Sequence, residues 1–197
     1  LEELLRSADN GRLCREGIPT VILGLPNAGK SSLMNLLTQN DAAIVTDIAG
    51  TTRDILTEQV RLGELLLTLS DTAGIRESED QIERIGVERA RKAAEAAELL
   101  LLVLDGSKPL SEEEKELLSY AGKRRSILLL NKADLGLRMD ETELLSTYGP
   151  GKILHLSTKT AEGLSALEET VTEFFFEGVF DNRSELLSVN ARHKEAI

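Results

Sequence analysis

The chain has 197 residues, 41% of them hydrophobic and 29% charged, which suits one domain with a sizeable core and excludes a disordered segment. Its net charge of −11, from 23 basic and 34 acidic residues, argues against unaided non-specific binding of nucleic acid, because phosphates need a basic surface. A lone cysteine, Cys14, can form no internal disulfide and points to a reducing, cytoplasmic setting, and no apolar run approaches the ~20 residues of a membrane span. The sequence opens on Leu1 rather than methionine, so it reads as a piece of a longer protein.

In chain order, short apolar runs alternate with amphipathic stretches, which predicts an α/β fold with a mostly parallel sheet and helices on both faces. Ile18 to Leu23 reads as a buried strand ending at Gly24, and Lys30 to Leu37 as a helix with Leu33, Leu36 and Leu37 on one face. Asp41 to Asp54 is small, polar and irregular, a loop of functional length. Ile55 to Arg61 and Leu65 to Ser70 read as strands joined at Leu62-Gly63. So short a turn demands an antiparallel hairpin, hence one antiparallel edge strand. Gln81 to Ala97 is helical in pattern, and Leu99 to Leu104 is a strand buried on both faces. Ser111 with Glu114 forms a capping-box pattern opening a helix to Tyr120. Ile127 to Leu130 and Lys152 to Leu156 complete a predicted six-stranded sheet, and Leu164 to Phe176 is the closing helix. Apolar stripes at Leu1, Leu4 and Leu5 and at Leu186, Leu187 and Val189 lie outside this core. They fit either frayed terminal helices or a domain over 17–180 inserted in a helical body, with 1–16 and 181–197 returning to that body.

Four motifs carry chemistry. Gly24-Leu25-Pro26-Asn27-Ala28-Gly29-Lys30-Ser31 fits G-x-x-x-x-G-K-[ST] between a strand and a helix, the pattern of a Ras-like P-loop NTPase. The glycines let the backbone curl so that N–H groups, including those of Asn27, Ala28 and Gly29, face one anion, aided by the helix N-terminus at Ser31 and Ser32. Lys30 would neutralise the β- and γ-phosphates, a catalytic as well as a binding role, and the Ser31 hydroxyl would ligate Mg²⁺. Asp71-Thr72-Ala73-Gly74 supplies a carboxylate for a magnesium-bound water and an N–H at Gly74 for the γ-phosphate. Asn131-Lys132-Ala133-Asp134 decides the base, because the Asp134 carboxylate can accept from guanine N1–H and the 2-amino group. Adenine offers neither donor there, a mismatch that can be rejected by ~10⁴-fold or more in the best cases. Asn131 braces that loop, and the Lys132 stem can lie along the base plane. Ser157, Thr158 and Lys159 follow the last strand, where backbone N–H groups can meet guanine O6. His155, just before them, reads as structural.

Ras-like proteins carry a water-orienting glutamine directly after D-x-x-G, and here that position is Ile75. The chain must therefore hydrolyse GTP very slowly or take the missing polarity from elsewhere, as a trans arginine finger or a bound monovalent cation. The segment Asp41 to Asp54, reading DAAIVTDIAGTTRD, resembles the first switch of the MnmE (TrmE) family of tRNA-modifying GTPases. GLPNAGKSS, DTAGI, Ile82-Glu83-Arg84-Ile85-Gly86 and Asn190-Ala191-Arg192-His193 resemble that family too, so the likeness spans nearly the whole chain. It implies a G domain inserted in a helical domain. It also implies K⁺ held by the Asn27 side chain and the carbonyls of Thr46, Ile48 and Thr51, with Asp47, Ala49 and Gly50 in the same nucleotide-wrapping loop. Thr52 would join Ser31 on Mg²⁺, and Glu83 would orient the attacking water through a bridging water. Arg53 and Arg76 are then loop or surface residues rather than fingers.

The resemblance further implies dimerisation across the switch faces, tRNA wobble-uridine modification and an FAD-containing MnmG-type partner. Thr158 departs from the more usual Ser-Ala-Lys, which leaves backbone contacts intact. From the residues alone, Asn27 could instead brace its own loop, and Glu83 could be one solvated carboxylate on a charged helix. Two further readings stay open: a ribosome-assembly factor of the Era or Der type, and a protein in which GTP only stabilises the fold.

Overall fold

The computed structural model describes residues 13, 16–39, 57–63, 65–70 and 95–176. Six strands form one sheet, β1 (Ile18–Leu23), β2 (Thr57–Leu62), β3 (Leu65–Ser70), β4 (Leu99–Asp105), β5 (Ser126–Asn131) and β6 (Lys152–His155), in the order β2-β3-β1-β4-β5-β6. Among these six strands only β2 against β3 is antiparallel. The fold class expected from the sequence is therefore the one observed. The hairpin follows its leucines: Leu65, Leu67 and Leu69 are buried while Leu66 and Thr68 are half-buried, the period of a strand with one covered face. β4 lies between β1 and β5, buried along its whole length, which is why it reads LLLLVLD without alternation.

Residue parity along β4 and β5 divides the core into two layers. Leu101, Val103, Ile127 and Leu129 face helix α1 (Lys30–Gln39) through Leu33 and Leu37, and helix α4 (Leu164–Phe176) through Leu167, Val171 and Phe175. Leu100, Leu102, Leu104, Leu128 and Leu130 face helix α2 (Glu112–Ala121) through Leu118 and Ala121, and helix α3 (Glu141–Tyr148) through Leu144 and Tyr148. Each such leucine contributes roughly 1.5–3 kcal/mol by leaving water.

The capping box forms as expected: Glu114 N–H donates to Ser111 Oγ (3.2 Å) and Ser111 N–H to Glu114 Oε2 (2.9 Å). Helix α3 was not anticipated from the pattern. Asp140 starts it by accepting from the N–H groups of Thr142 (2.8 Å) and Glu143 (3.4 Å). Tyr148 ends it with its hydroxyl 2.8 Å from Ser126 Oγ, which itself donates to the Ala121 carbonyl (2.7 Å). Leu156 leaves β6 and is buried just beyond it.

On the other side of the sheet the chain enters β1 through helical residues Leu13 and Glu16, with Gly17 N–H bonded to the Leu13 carbonyl (3.0 Å). The Glu16 carbonyl accepts from Thr68 Oγ1 (2.8 Å) on β3 and Gln59 Nε2 (3.4 Å) on β2. Most of the expected flanking segments 1–16 and 181–197, the loop Asp41 to Asp54, and the helix Gln81 to Ala97 up to residue 94 lie outside the described residues. Glu95 and Ala96 are helical, the end of that last stretch.

Candidate guanine-nucleotide site

The parallel strands β1, β5 and β6 deliver their following loops to the same edge of the sheet, the place where open α/β sheets bind ligands. The loop after β1 is shaped by close approach. Gly24 (φ +152°) passes over the Val103 carbonyl and Gly29 (φ +106°) over the Asn131 amide; a Cβ at either would collide with that neighbour. Asn27 is exposed at φ +63°, the left-handed region that asparagine tolerates better than most residues. Its side chain has no hydrogen-bond partner among the described residues. Lys30 Nζ folds back to the Leu25 carbonyl (2.8 Å), and its burial pushes the ammonium pKa below the usual lysine value. Ser31 and Ser32 are exposed in the first turn of α1, where the helix end favours anions.

The loop after β5 is held by side chains. Asn131 is buried and bonds both ways: its Nδ2 donates to the Ala28 carbonyl (2.9 Å), and its Oδ1 accepts from Thr158 N–H (3.1 Å). One amide thus clasps the phosphate-loop motif to the Ser157-Thr158-Lys159 segment. The bracing expected of Asn131 is what the geometry gives, with the phosphate loop included. Asp134 is exposed, and its Oδ1 accepts from the buried Ser157 Oγ (2.8 Å), which accepts in turn from Thr160 N–H (3.3 Å). That relay fixes the carboxylate and leaves its second oxygen with no donor among the described residues. Lys159 is exposed. His155 is exposed too, its Nε2 3.8 Å from Glu141, while its carbonyl is closely approached by Gly163; only its backbone has a structural part.

Lys132 (φ +63°) sends Nζ to Asp105 Oδ2 at 2.6 Å. Asp105 carries no motif signal in the sequence, since a lone aspartate at a strand end looks like a turn residue. Burial alone would raise its pKa, but hydrogen bonds from Lys132 and Ser107 hold it down at about 2.

The expected nucleotide or metal contacts Thr46, Asp47, Ile48, Ala49, Gly50, Thr51 and Thr52 lie outside the described residues, as do Asp71, Thr72, Ala73, Gly74 and Glu83. Among the described residues no cluster of three or more His, Cys, Asp or Glu gathers, and no helix is long and apolar enough to cross a membrane. A Ser31 hydroxyl beside a phosphate loop is a hard oxygen donor of the kind Mg²⁺ takes with substrate phosphates.

Known proteins match this arrangement. The family model described as 50S ribosome-binding GTPase matches residues 20–132. A tRNA modification GTPase MnmE from Lachnoclostridium phytofermentans is 48% identical over 100% of this chain and 43% of its own length. The protein of the same name from Lactiplantibacillus plantarum is 46% identical over 98% of this chain and 42% of its own length. The chain thus spans less than half the length of these relatives. Among solved structures, an Aquifex aeolicus Era variant bound to GDP and AlF4⁻ superposes with a TM-score of 0.57 at 26% identity, covering 81% of this chain and 57% of that one. The cytosolic domain of Thermotoga maritima FeoB in its GMPPNP form gives 0.58 at 26%, covering 81% and 64%. A Ras-like sheet, a phosphate loop clasped to a guanine-type loop, and relatives of this similarity together place the chain in the P-loop GTPase family, in the branch of the tRNA modification GTPases named MnmE.

Proposed function

We propose that this chain is the GTP-hydrolysing domain of a cytoplasmic enzyme that modifies the wobble uridine of tRNA, stimulated by K⁺ and activated when two such domains meet across their switch faces. The observation that carries the guanine part is the Asn131 clasp with the Ser157–Asp134 relay: it presents a pre-aimed carboxylate beside a phosphate loop. In this reading Asp134 takes guanine N1–H and the 2-amino group, and N–H groups of Ser157 to Lys159 meet O6. The amides of Asn27 to Gly29 and Lys30 bind the phosphates, with Ser32 in the first helical turn. Asp71 to Gly74 reach the magnesium-bound water and the γ-phosphate. Ser31 and Thr52 would hold Mg²⁺, which would polarise the phosphate oxygens.

Asn27 Oδ1 and the carbonyls of Thr46, Ile48 and Thr51, within the loop Thr46 to Thr52, would hold K⁺, which would supply positive charge at those oxygens. An exposed Asn27 without a described partner suits that task, although its left-handed backbone gives asparagine a second reason to be there. Glu83 orients the attacking water where Ile75 cannot. Modification chemistry on the tRNA lies outside this chain, with an MnmG-type flavoprotein as partner. Flanking segments 1–16 and 181–197 belong to a surrounding helical domain.

GTP turnover of the intact protein in KCl against NaCl tests the cation: equal rates remove the cage. Glu83→Ala should abolish most turnover with GDP binding retained. Loss of the gene should leave the wobble uridine unmodified in tRNA hydrolysates read by mass spectrometry. The family description and the Era likeness favour a second reading, a GTP-gated factor on the large ribosomal subunit. GTP-dependent co-sedimentation with 50S particles and normal tRNA would select it.

A further inference from the structure

The turn that ends β4 packs directly beneath the guanine loop. Asp105 and Asn131 are register partners at the ends of β4 and β5, so the loops after them leave the sheet side by side. Gly106 N–H donates to the Asn131 carbonyl (2.9 Å), and Arg138 N–H returns to the Gly106 carbonyl (2.8 Å). Within this frame the Asp105 side chain is almost wholly buried, and both oxygens are engaged. Oδ1 accepts from Ser107 Oγ (2.6 Å) and Ser107 N–H (3.2 Å); Oδ2 accepts from Lys132 Nζ (2.6 Å). Lys108 Nζ stands 3.5 Å from the same Oδ2 but is largely exposed. The Lys132 side chain remains 31% exposed with its ammonium anchored on Asp105.

We infer that Asp105 is a positioning residue for the guanine nucleotide: through a buried ion pair it pins the Lys132 ammonium, so that the aliphatic stem forms one wall for the base. Ser107 serves as its clamp, fixing the carboxylate from the side opposite Lys132. The long reach of a lysine costs rotamer entropy when it is held against a ligand, and an ion pair made before binding removes that cost from the binding step. The role concerns the ground-state complex, since the base lies away from the scissile phosphate.

This inference rests on guanine-nucleotide binding at the site, and the experiment separates the two. Titration of the intact protein with fluorescent GDP should give an Asp105→Asn variant whose Kd and dissociation rate rise about tenfold, the loss expected for one charge-assisted contact. Its single-turnover rate at saturating GTP should match the wild type, a split that general loosening of the fold would not produce. In a Lys132→Met background the same Asp105 substitution should add nothing. Ser107→Ala, which spares the β4 end, should weaken GDP about threefold and should likewise be silent without Lys132. Should Asp105→Asn not fold, the Ser107 pair decides alone. Unchanged GDP affinity in the foldable variants, or equal losses with and without Lys132, overturns the inference. Absence of GDP binding by the wild type would instead overturn the guanine reading.

Discussion

The two halves of the candidate site are prepared by different means. On the base side, side chains do the holding: Asn131, Ser157 and Asp105 are buried, each with its polar atoms engaged, and they fix Thr158, Asp134 and Lys132 respectively. On the phosphate side, the backbone does it, through left-handed Asn27, two glycines threaded over other strands, and the start of α1. The contrast follows from the ligand parts each half would meet. A base is read by direction, which side-chain dipoles supply; a polyphosphate is read by charge and curvature, which a ring of N–H groups supplies. Among the described residues, Asn131 belongs to both.

Substitutions can break this contrast, from the largest effect downward. Asp134→Asn should cost ~10³–10⁴-fold in GDP affinity with the fold intact, because an amide presents a donor where two donors arrive. Fluorescent-nucleotide titration checks it, and a loss under tenfold would place base recognition elsewhere. Asn131→Ala should cost about 2–4 kcal/mol in urea unfolding, since it strands both the Ala28 carbonyl and the Thr158 amide, and it should weaken base and phosphate contacts together.

Asp105→Asn sharpens the base side through pH. The folded pKa lies near 2 against an ordinary 3.8, so its stabilisation is fully present above the unfolded value and fades as pH falls through the folded one. A difference of about 2 kcal/mol from wild type in urea unfolding near pH 5 should therefore shrink between about pH 4 and pH 2. For the phosphate side, Asn27→Ala should destabilise by about 1 kcal/mol while Asn27→Gly should not, because glycine keeps the left-handed backbone. If potassium stimulation then survives in Asn27→Gly, the residue is there for its backbone alone. Tyr148→Phe, remote from both halves, should cost about 1 kcal/mol by thermal unfolding and leave GDP affinity unchanged.

Much of this was legible in the residues. β1, β3 and α4 coincide with the apolar runs that foretold them, because a strand buried between neighbours must be apolar and a helix over a sheet must show one apolar face. Ser111 and Glu114 announced a helix start by a local mechanism that needs no tertiary context. Helix α3 escaped because it buries only Leu144 and Tyr148 while Leu145 is exposed; eight residues give too few turns for a periodicity. The signal that could have found it was Asp140 before and Gly149 after. Motif spacing located Asp134, Ser157 and Asn131, yet their mutual bonds depend on strand register. Asp105 was invisible for the same reason, since its partner stands 27 positions along the chain. The roles of Glu83 and of the loop Thr46 to Thr52 rest on family resemblance, and these residues lie outside the described ones.

One carbonyl near the start of the domain has a mechanical consequence. Glu16 O is tied at once to Thr68 and Gln59, so the chain arriving at β1 is riveted to both strands of the hairpin. In sequence that hairpin lies between the predicted first-switch loop, Asp41 to Asp54, and the Asp71-Thr72-Ala73-Gly74 motif. A sliding displacement of it must drag the incoming polypeptide along or snap two hydrogen bonds. The chain's entry into β1 is thus geared to the hairpin that joins those two predicted segments.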